Sequence, residues 1–445
     1  MHLHRQITAC LRATVILCAL EAHGATPELS LREAHLLAVK DDPWAKSSQL
    51  REQSLIDQGE ARAQLPDPRV RLMAGNLPID TWSLSQEGMT QMSVGVQQKL
   101  PRGDSLDLAR QTSNKQADAE RWQRHNRRLV VERDVTERWL AVYRAQHTLS
   151  LLHDFEPLVS ELQSLAHAKF RSGSQNVGHT NLVQAELELT RLQDRLTAAQ
   201  QRRDVAQQRL AEWIGIAAYR PVTSSSVESQ VAPNKSLAQL LTTPTFPDNQ
   251  TLYERVLEHP QLRAIDANIA AAHIGTNIAE QQYKTEWALE ASYGYRADTS
   301  TGMDRADLFS FGVSFDVPLF TADKQDRNVR ASKARAESIR TDQQLVIRDL
   351  VTRMRAALVD WRGLNERKAL YEQRLLPQLT QQADATLADY ASDQGELQDV
   401  IRARIAMIDA HIELLIIAVA QHSSVAELNY LIGYTQTQAL PSEDL

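Results

Sequence analysis

The chain has 445 residues and a formal net charge of −7, with charged residues at 24%, a balance that argues against nucleic acid as a partner. Glycine and proline are scarce, at 16 and 15 residues, and long stretches rich in Ala, Gln, Leu, Arg and Glu have the composition of extended helices or coiled coil. Beyond the N-terminus no apolar run approaches the about 20 residues that a spanning helix needs, which argues against a helical membrane protein.

Residues 1–24 read as a secretory signal peptide: Arg5 and Arg12 precede the apolar run Ala13 to Leu20, and Ala22, Gly24 and Ala25 supply the small residues of a cleavage site. Both cysteines, Cys10 and Cys18, fall in it, so the exported chain is expected to carry no disulfide and no thiol. Cys18 also invites lipidation, against which stands the bulky Leu17 where a small residue is wanted. Losing Arg5, Arg12 and Glu21 leaves a mature charge of about −8.

The remainder is written twice. Pro43, Ser93-x-Gly95-Val96 and Pro101 return 217 residues later as Pro260, Ser310-x-Gly312-Val313 and Pro318, and Leu210-x-x-x-Ile214-Gly215 returns 218 later as Leu428-x-x-x-Ile432-Gly433. A unit of this length is too long for a solenoid and reads as a duplicated supersecondary element packed about a common axis. The first repeat, 25–215, has a leading helix ending at Asp42-Pro43, strands at about 69–77 and 91–100, and a helical hairpin at about 103–213. In those strands Val70, Leu72 and Ala74, then Met92, Val94 and Val96, alternate with polar or small residues around a loop at 77–90. A helix of about 65 residues from Asp104 would be about 100 Å long, which makes the chain a rod. Residues 216–250 are taken as an inter-repeat linker.

The second repeat, 251–433, follows the same plan, with His259-Pro260, strands at about 286–296 and 308–317, a hairpin at about 321–432 and a short tail, 434–445. Its alternation is clearer: Trp287, Leu289, Tyr293 and Tyr295 in one strand and Phe309, Phe311, Val313 and Phe315 in the next each define one face. Pro157 and Pro377 stand at matching places in the two hairpins and are expected to break or kink both, as a hinge or as a boundary between stacked helices. The strand pairs fit a soluble sheet lying on a helix. With an export signal they fit a transmembrane β-barrel, apolar face to lipid and small or polar face to water. Four strands cannot close a barrel, and open edges are not tolerated in lipid, so that reading requires several copies.

This helix, strand-pair, helix plan resembles the TolC-type outer membrane factors over 29–433. The resemblance implies a mainly α fold with a transmembrane β-barrel: a homotrimer whose four strands per chain build a twelve-stranded barrel in outer-membrane lipid above a long periplasmic α-helical barrel. It implies two further partners, a periplasmic adaptor and an inner-membrane RND pump. In that family an aromatic, a glycine three residues on and Asp-Val nine residues on mark the hairpin tips that close the aperture and meet the adaptor. Tyr390, Asp393 and Asp399-Val400 follow this spacing, with Asp393 in the glycine position and Gly395 expected to take over the positive φ. Phe170, Gly173 and Gly178 mark the first tip, which has two extra residues and should bulge.

At such a tip a ring of Asp399 carboxylates would attract cations, and Arg402 could latch it closed. The plainer alternatives are a helix-start acid stabilised by free amides and an exposed i, i+3 pair. The run Asn76-Leu77-Pro78-Ile79-Asp80 with Met89-Thr90 and Gly95-Val96-Gln97 resembles the heavy-metal branch, while Met73, Met89 and Met92 read as strand and loop packing. No catalytic constellation, cofactor motif or metal spacing emerges from the 13 histidines or elsewhere, so no enzyme is expected. A duct for drugs or for type I protein secretion, a periplasmic adaptor and a coiled-coil rod are the rival readings.

Overall fold

The structure is a computed structural model and describes residues 28–171, 179–223, 227–243, 245–392 and 394–434. Helix α1 (Leu31–Lys40) starts at Ser30, whose hydroxyl accepts from the Glu33 amide, and α2 (Pro43–Arg62) starts at Asp42, which accepts from the Trp44 amide. Both starts use a short polar side chain to satisfy an amide the helix cannot, and Pro43 occupies the first turn, where no donor is missed. Strands β1 (Arg69–Gly75) and β2 (Gln91–Leu100) follow, then α3 (Ser105–Arg171), 67 residues and about 100 Å long, and α4 (His179–Ile214).

The second repeat mirrors this order with α8 (Pro260–Gln281), β3 (Trp287–Tyr295), β4 (Leu308–Phe315), α9 (Gln325–Leu370), α10 (Leu376–Ala391) and α11 (Leu397–Leu431). Between the repeats lie a 3₁₀ turn (Gly215–Tyr219), α5 (Val227–Gln230), α6 (Lys235–Thr242) and α7 (Asn249–Val256). The four strands make one antiparallel sheet in chain order, leaving β1 and β4 as free edges. Below the sheet α3 packs against α2, α8, α4 and α11, and α9 against α8 and α11, so α2 and α4 form one edge of the helical layer and α9 the other.

Two features differ from the sequence reading. Several described residues between 216 and 250 belong to the main core: Leu29 pairs with Val222 in a parallel bridge, and Val222, Val227, Val231, Leu237, Leu240 and Leu241 are buried beside Trp139, whose indole donates to the Leu29 carbonyl at 3.1 Å. Pro157 leaves α3 unbroken, because Leu152 and Phe155 are clamped between Leu192 of α4 and Ile408 of α11. Pro377 does coincide with an interruption: a π turn at Tyr371–Leu375 takes up one extra residue, and the proline then sits in the first turn of α10.

Candidate functional site: sheet wall and helical tip

Pairing register decides which side chains share a face, because directly opposed residues project to the same side of a sheet. Val70 faces Val96, Leu72 faces Val94, Val94 faces Tyr293, and Tyr293 faces Phe309. Leu289 faces Val313, and Trp287 faces Phe315 with ring centroids 4.8 Å apart. Tyr295 (opposite Met92) and Phe311 (opposite Ala291) complete the set, so all twelve apolar strand positions named from the sequence lie on one face. All are exposed, up to 78% for Leu72 and 73% for Phe309, with nothing among the described residues covering them. The opposite face carries Arg71, Ser93, Gly95, Gln97, Glu290, Ser292, Ser310 and Gly312, with Arg71 and Glu290 at 4.0 Å. A contiguous apolar surface of this size on one side of a sheet marks a contact with something apolar.

At one end of the sheet, the loop joining β1 to β2 is closed at its mouth. The Asn76 side chain donates to the Met89 carbonyl at 3.0 Å and the Thr90 hydroxyl to the Asn76 carbonyl at 2.6 Å. Asn76 and Trp82 have positive φ, 55° and 53°, which bulky Trp82 adopts only where its surroundings impose it. Arg305 of the second loop donates to the Glu87 carbonyl at 3.0 Å and ties the loops together. The resemblance in this stretch thus falls on residues that shape a loop. Met73, Met89 and Met92 are exposed in the single chain, so they do not pack it as the sequence reading had them.

At the other end, Arg102 joins the repeats. Its guanidinium donates to the carbonyls of Gln282 (3.0 Å) and Lys284 (3.3 Å) and bonds Asp316, whose other oxygen accepts from the Glu286 amide at 2.7 Å. Lys99 reaches Glu286 at 3.4 Å, and Lys284 reaches Asp104 at 3.1 Å. Gly103 between them has φ 48°, and a Cβ there would run into Gln281 and Lys284. The left-handed backbone is what favours glycine here, since the two flexible side-chain ends could turn aside.

The helical tip of the second repeat is a small core of its own: Tyr390, Leu397, Val400 and Ile401 are buried together with Leu387 and Ile405 beside them. Tyr390 and Val400, expected from the sequence to meet a partner, are interior and instead hold the turn together. Gly395 has no positive φ; its role is close approach, since a Cβ would come within 3.0 Å of the Asp389 Cβ and 3.1 Å of the Tyr390 amide nitrogen, while its own N–H donates to the Asp389 carbonyl at 3.1 Å. Asp399 lies in the first turn of α11, where Glu396 supplies no side-chain cap, and pairs with Arg402 of the same chain at 3.7 Å. The two side chains are 56% and 74% exposed, a geometry that holds charge in the open without fixing it firmly. Phe170 sits in the last turn of α3. Gly173, Gly178 and Asp393, with the bulge expected of the first tip, lie outside the described residues, as do the signal segment and the C-terminal tail.

Sequence reading missed a polar girdle midway along the helices. Asp42 bonds Arg127 at 2.8 Å, and Glu427 receives Arg353 at 2.6 Å and Arg133 at 3.7 Å. Both arginines lie over the Tyr430 ring, Arg133 at 4.7 Å and Arg353 at 5.3 Å. Burial lowers the pKa of His35 and His259 to about 4, partly opposed by backbone hydrogen bonds. Asp42-Pro43 and His259-Pro260 were the visible signal: both are helix starts anchored to a neighbouring helix. Among the described residues no group of three or more His, Cys, Asp or Glu side chains could hold a metal ion, and no helix is long and apolar enough to cross a membrane.

A model of the outer membrane efflux protein family matches residues 252–434, which is the second repeat. Comparison with curated proteins finds no match. Among solved structures the chain is similar to CusC, from a study of conformational changes accompanying folding and transmembrane channel formation, with TM-score 0.72 and 15% identity over 92% of this chain and 94% of that one. It is similar to the outer membrane protein VceC of Vibrio cholerae, with TM-score 0.71 and 14% identity over 91% of this chain and 96% of that one. For the open state of the MtrE outer membrane channel of Neisseria gonorrhoeae the values are 0.68, 13%, 91% and 89%. The chain therefore has the fold of these outer-membrane channels, a duplicated, mainly α architecture topped by a four-stranded β-sheet, and its second repeat matches the outer membrane efflux protein family.

Proposed function

We propose that three copies of this chain form the outer-membrane exit duct of a tripartite efflux system in a Gram-negative bacterium. The observation that carries the reading is the sheet with one uninterrupted apolar face, one polar face and two unpaired edges. Lipid suits the first, a watery lumen the second, and further copies the third. Helices α3, α4, α9, α10 and α11 continue the lumen into the periplasm, where the tips meet a periplasmic adaptor coupled to an RND pump. Transport energy comes from the pump, and the duct is passive: not an enzyme, with no cofactor.

At the tip, Asp399 rings the aperture and favours cations, while Arg402 limits the opening by pairing with it. The cargo is heavy-metal cations, a reading supported by the stretch from Asn76 to Asp80 and by Met89-Thr90. Deleting the gene from its host and measuring growth on metal salts, drugs and secretion substrates tests both levels. Metal hypersensitivity that the intact gene reverses supports the cargo; drug sensitivity alone keeps the duct and rejects the metal. Unchanged tolerance and secretion throughout rejects the duct.

A further inference from the structure

The duplication extends to how helices pack, and it leaves one socket open. In the first repeat the groove between α1 and α3, lined by His35, Leu129, Arg133 and Thr136, is plugged by the end of α11: Asn429, Tyr430 and Tyr434 reduce it to about 20 Å³. The matching groove of the second repeat, between α7 and α9, is lined by Tyr253, Ile347, Arg348, Val351 and Arg355 and stands open at about 560 Å³.

Burial fixes the correspondence. Thr136, Trp139 and Leu140 of α3 and Met354, Ala357 and Leu358 of α9 are the same buried stripe, 218 residues apart, the offset that also takes Leu210 to Leu428. Applied to the plug, this offset takes Tyr430 back to Glu212 and Tyr434 back to Ile216, at the end of α4. Both helices leave through a left-handed glycine, Gly215 at φ 59° and Gly433 at φ 72°, so the two corners share a backbone geometry. Ile216 is 88% exposed, and Glu212 is exposed with no ion pair among the described residues. Because α4 and α9 lie on opposite edges of the helical layer, a chain's own α4 is not placed to fill its own α9 socket.

We propose that the groove between α7 and α9 receives the end of α4 from a second copy of this chain, with Ile216 seated against Ile347 and Val351 and the Glu212 carboxylate between Arg348 and Arg355. The first repeat is the template, because α3 already meets α11 this way within one chain. Charges agree: Arg348 is without an ion-pair partner among the described residues, and Arg355 donates to the neutral Asn249 side chain at 2.8 Å, keeping further N–H groups for a carboxylate. A closed ring has no translation along its axis, so elements matched in depth within one chain meet at that depth between copies. The inference rests on the ring of copies proposed above.

The test uses the full-length protein in outer membranes. Ile216→Cys with Val351→Cys, treated with a flexible bismaleimide, is expected to give covalent dimers and trimers, while each single variant stays at background. Glu212→Arg should lower the temperature at which the oligomer dissociates, and adding Arg348→Glu should restore it. Native mass of the same detergent-solubilised sample separates the two ways of failing. An oligomer that neither cross-links nor responds to charge reversal overturns the socket and leaves the ring. A monomer overturns the ring and the socket with it.

Discussion

His259 and Tyr430, 171 residues apart, lock the two ends of the second repeat together. The His259 Nε2 lies 3.1 Å from the Tyr430 carbonyl, and the rings meet edge to face with centroids 5.0 Å apart. Its Nδ1 accepts from the Gln261 amide at 3.3 Å, capping α8. Nδ1 can accept only if the proton sits on Nε2, so the two bonds are made together only by the neutral ring: protonation keeps the bond to the Tyr430 carbonyl and breaks the cap.

Acid is therefore expected to loosen the middle of the rod. The folded pKa values of His259 and His35, about 4, lie below the ordinary 6.5, so the stability they contribute is complete above pH 6.5 and is lost as pH falls toward 4. At full expression each shift is worth roughly 3 kcal/mol. Urea midpoints measured from pH 7.5 to 4.5 should fall across this window. His259→Asn, which keeps a cap but does not titrate, should flatten part of the slope at some cost in stability at pH 7. A slope unchanged by that variant would remove His259 from the account.

Replacing Gly395 tests the tip. A methyl group on this residue cannot be accommodated without moving the Asp389–Tyr390 backbone, so Gly395→Ala should destabilise the turn by about 1–2 kcal/mol. Hydrogen exchange across 387–401 should speed up while the middle of the rod stays protected. Equal protection in both proteins would show that the turn absorbs the methyl.

Arg402→Ala separates gate from fold. An exposed pair at 3.7 Å contributes at most about 0.5 kcal/mol, so thermal stability should barely change. Conductance in a planar bilayer should rise, and Asp399→Ala should reduce preference for cations. Currents indifferent to both substitutions would remove this pair from the aperture.

In the proposed ring, the repeat also predicts how strand edges would join between copies. Within the chain Gln98 faces Leu289; the 217-residue offset turns this into Phe315 of one copy facing Leu72 of the next, both on the apolar side. Phe315→Cys with Leu72→Cys should cross-link between chains, whereas Phe315→Cys with Met73→Cys, on the opposite face, should react far less.

How much was legible follows from the range of the forces involved. The alternation from Phe309 to Phe315 is a local pattern with period two, and a shared offset of 217 or 218 survives divergence of side chains, so the strand pairs and the duplication could be read directly, while the barrel came from the family resemblance. The unbroken helix at Pro157 depends on Leu192 and Ile408, far away in sequence, which no local pattern encodes. The burial of Val400 and the close approach at Gly395 involve neighbours within 13 residues, but they follow from how the turn folds back on itself rather than from a helix or strand period. Residues 216–250 were passed over as a linker although Asn234 with Leu237, Leu240 and Leu241 is a capped amphipathic turn. At eight residues, α6 was too short to stand out.

The most direct test of the central claim is single-channel recording of the purified, full-length protein in a planar lipid bilayer. Discrete, long-lived conductance steps, abolished when Phe311→Asp places a charge on the apolar sheet face, are the expected result. Reproducible failure of the native protein to insert, with release from outer membranes by urea or carbonate washing, would contradict it.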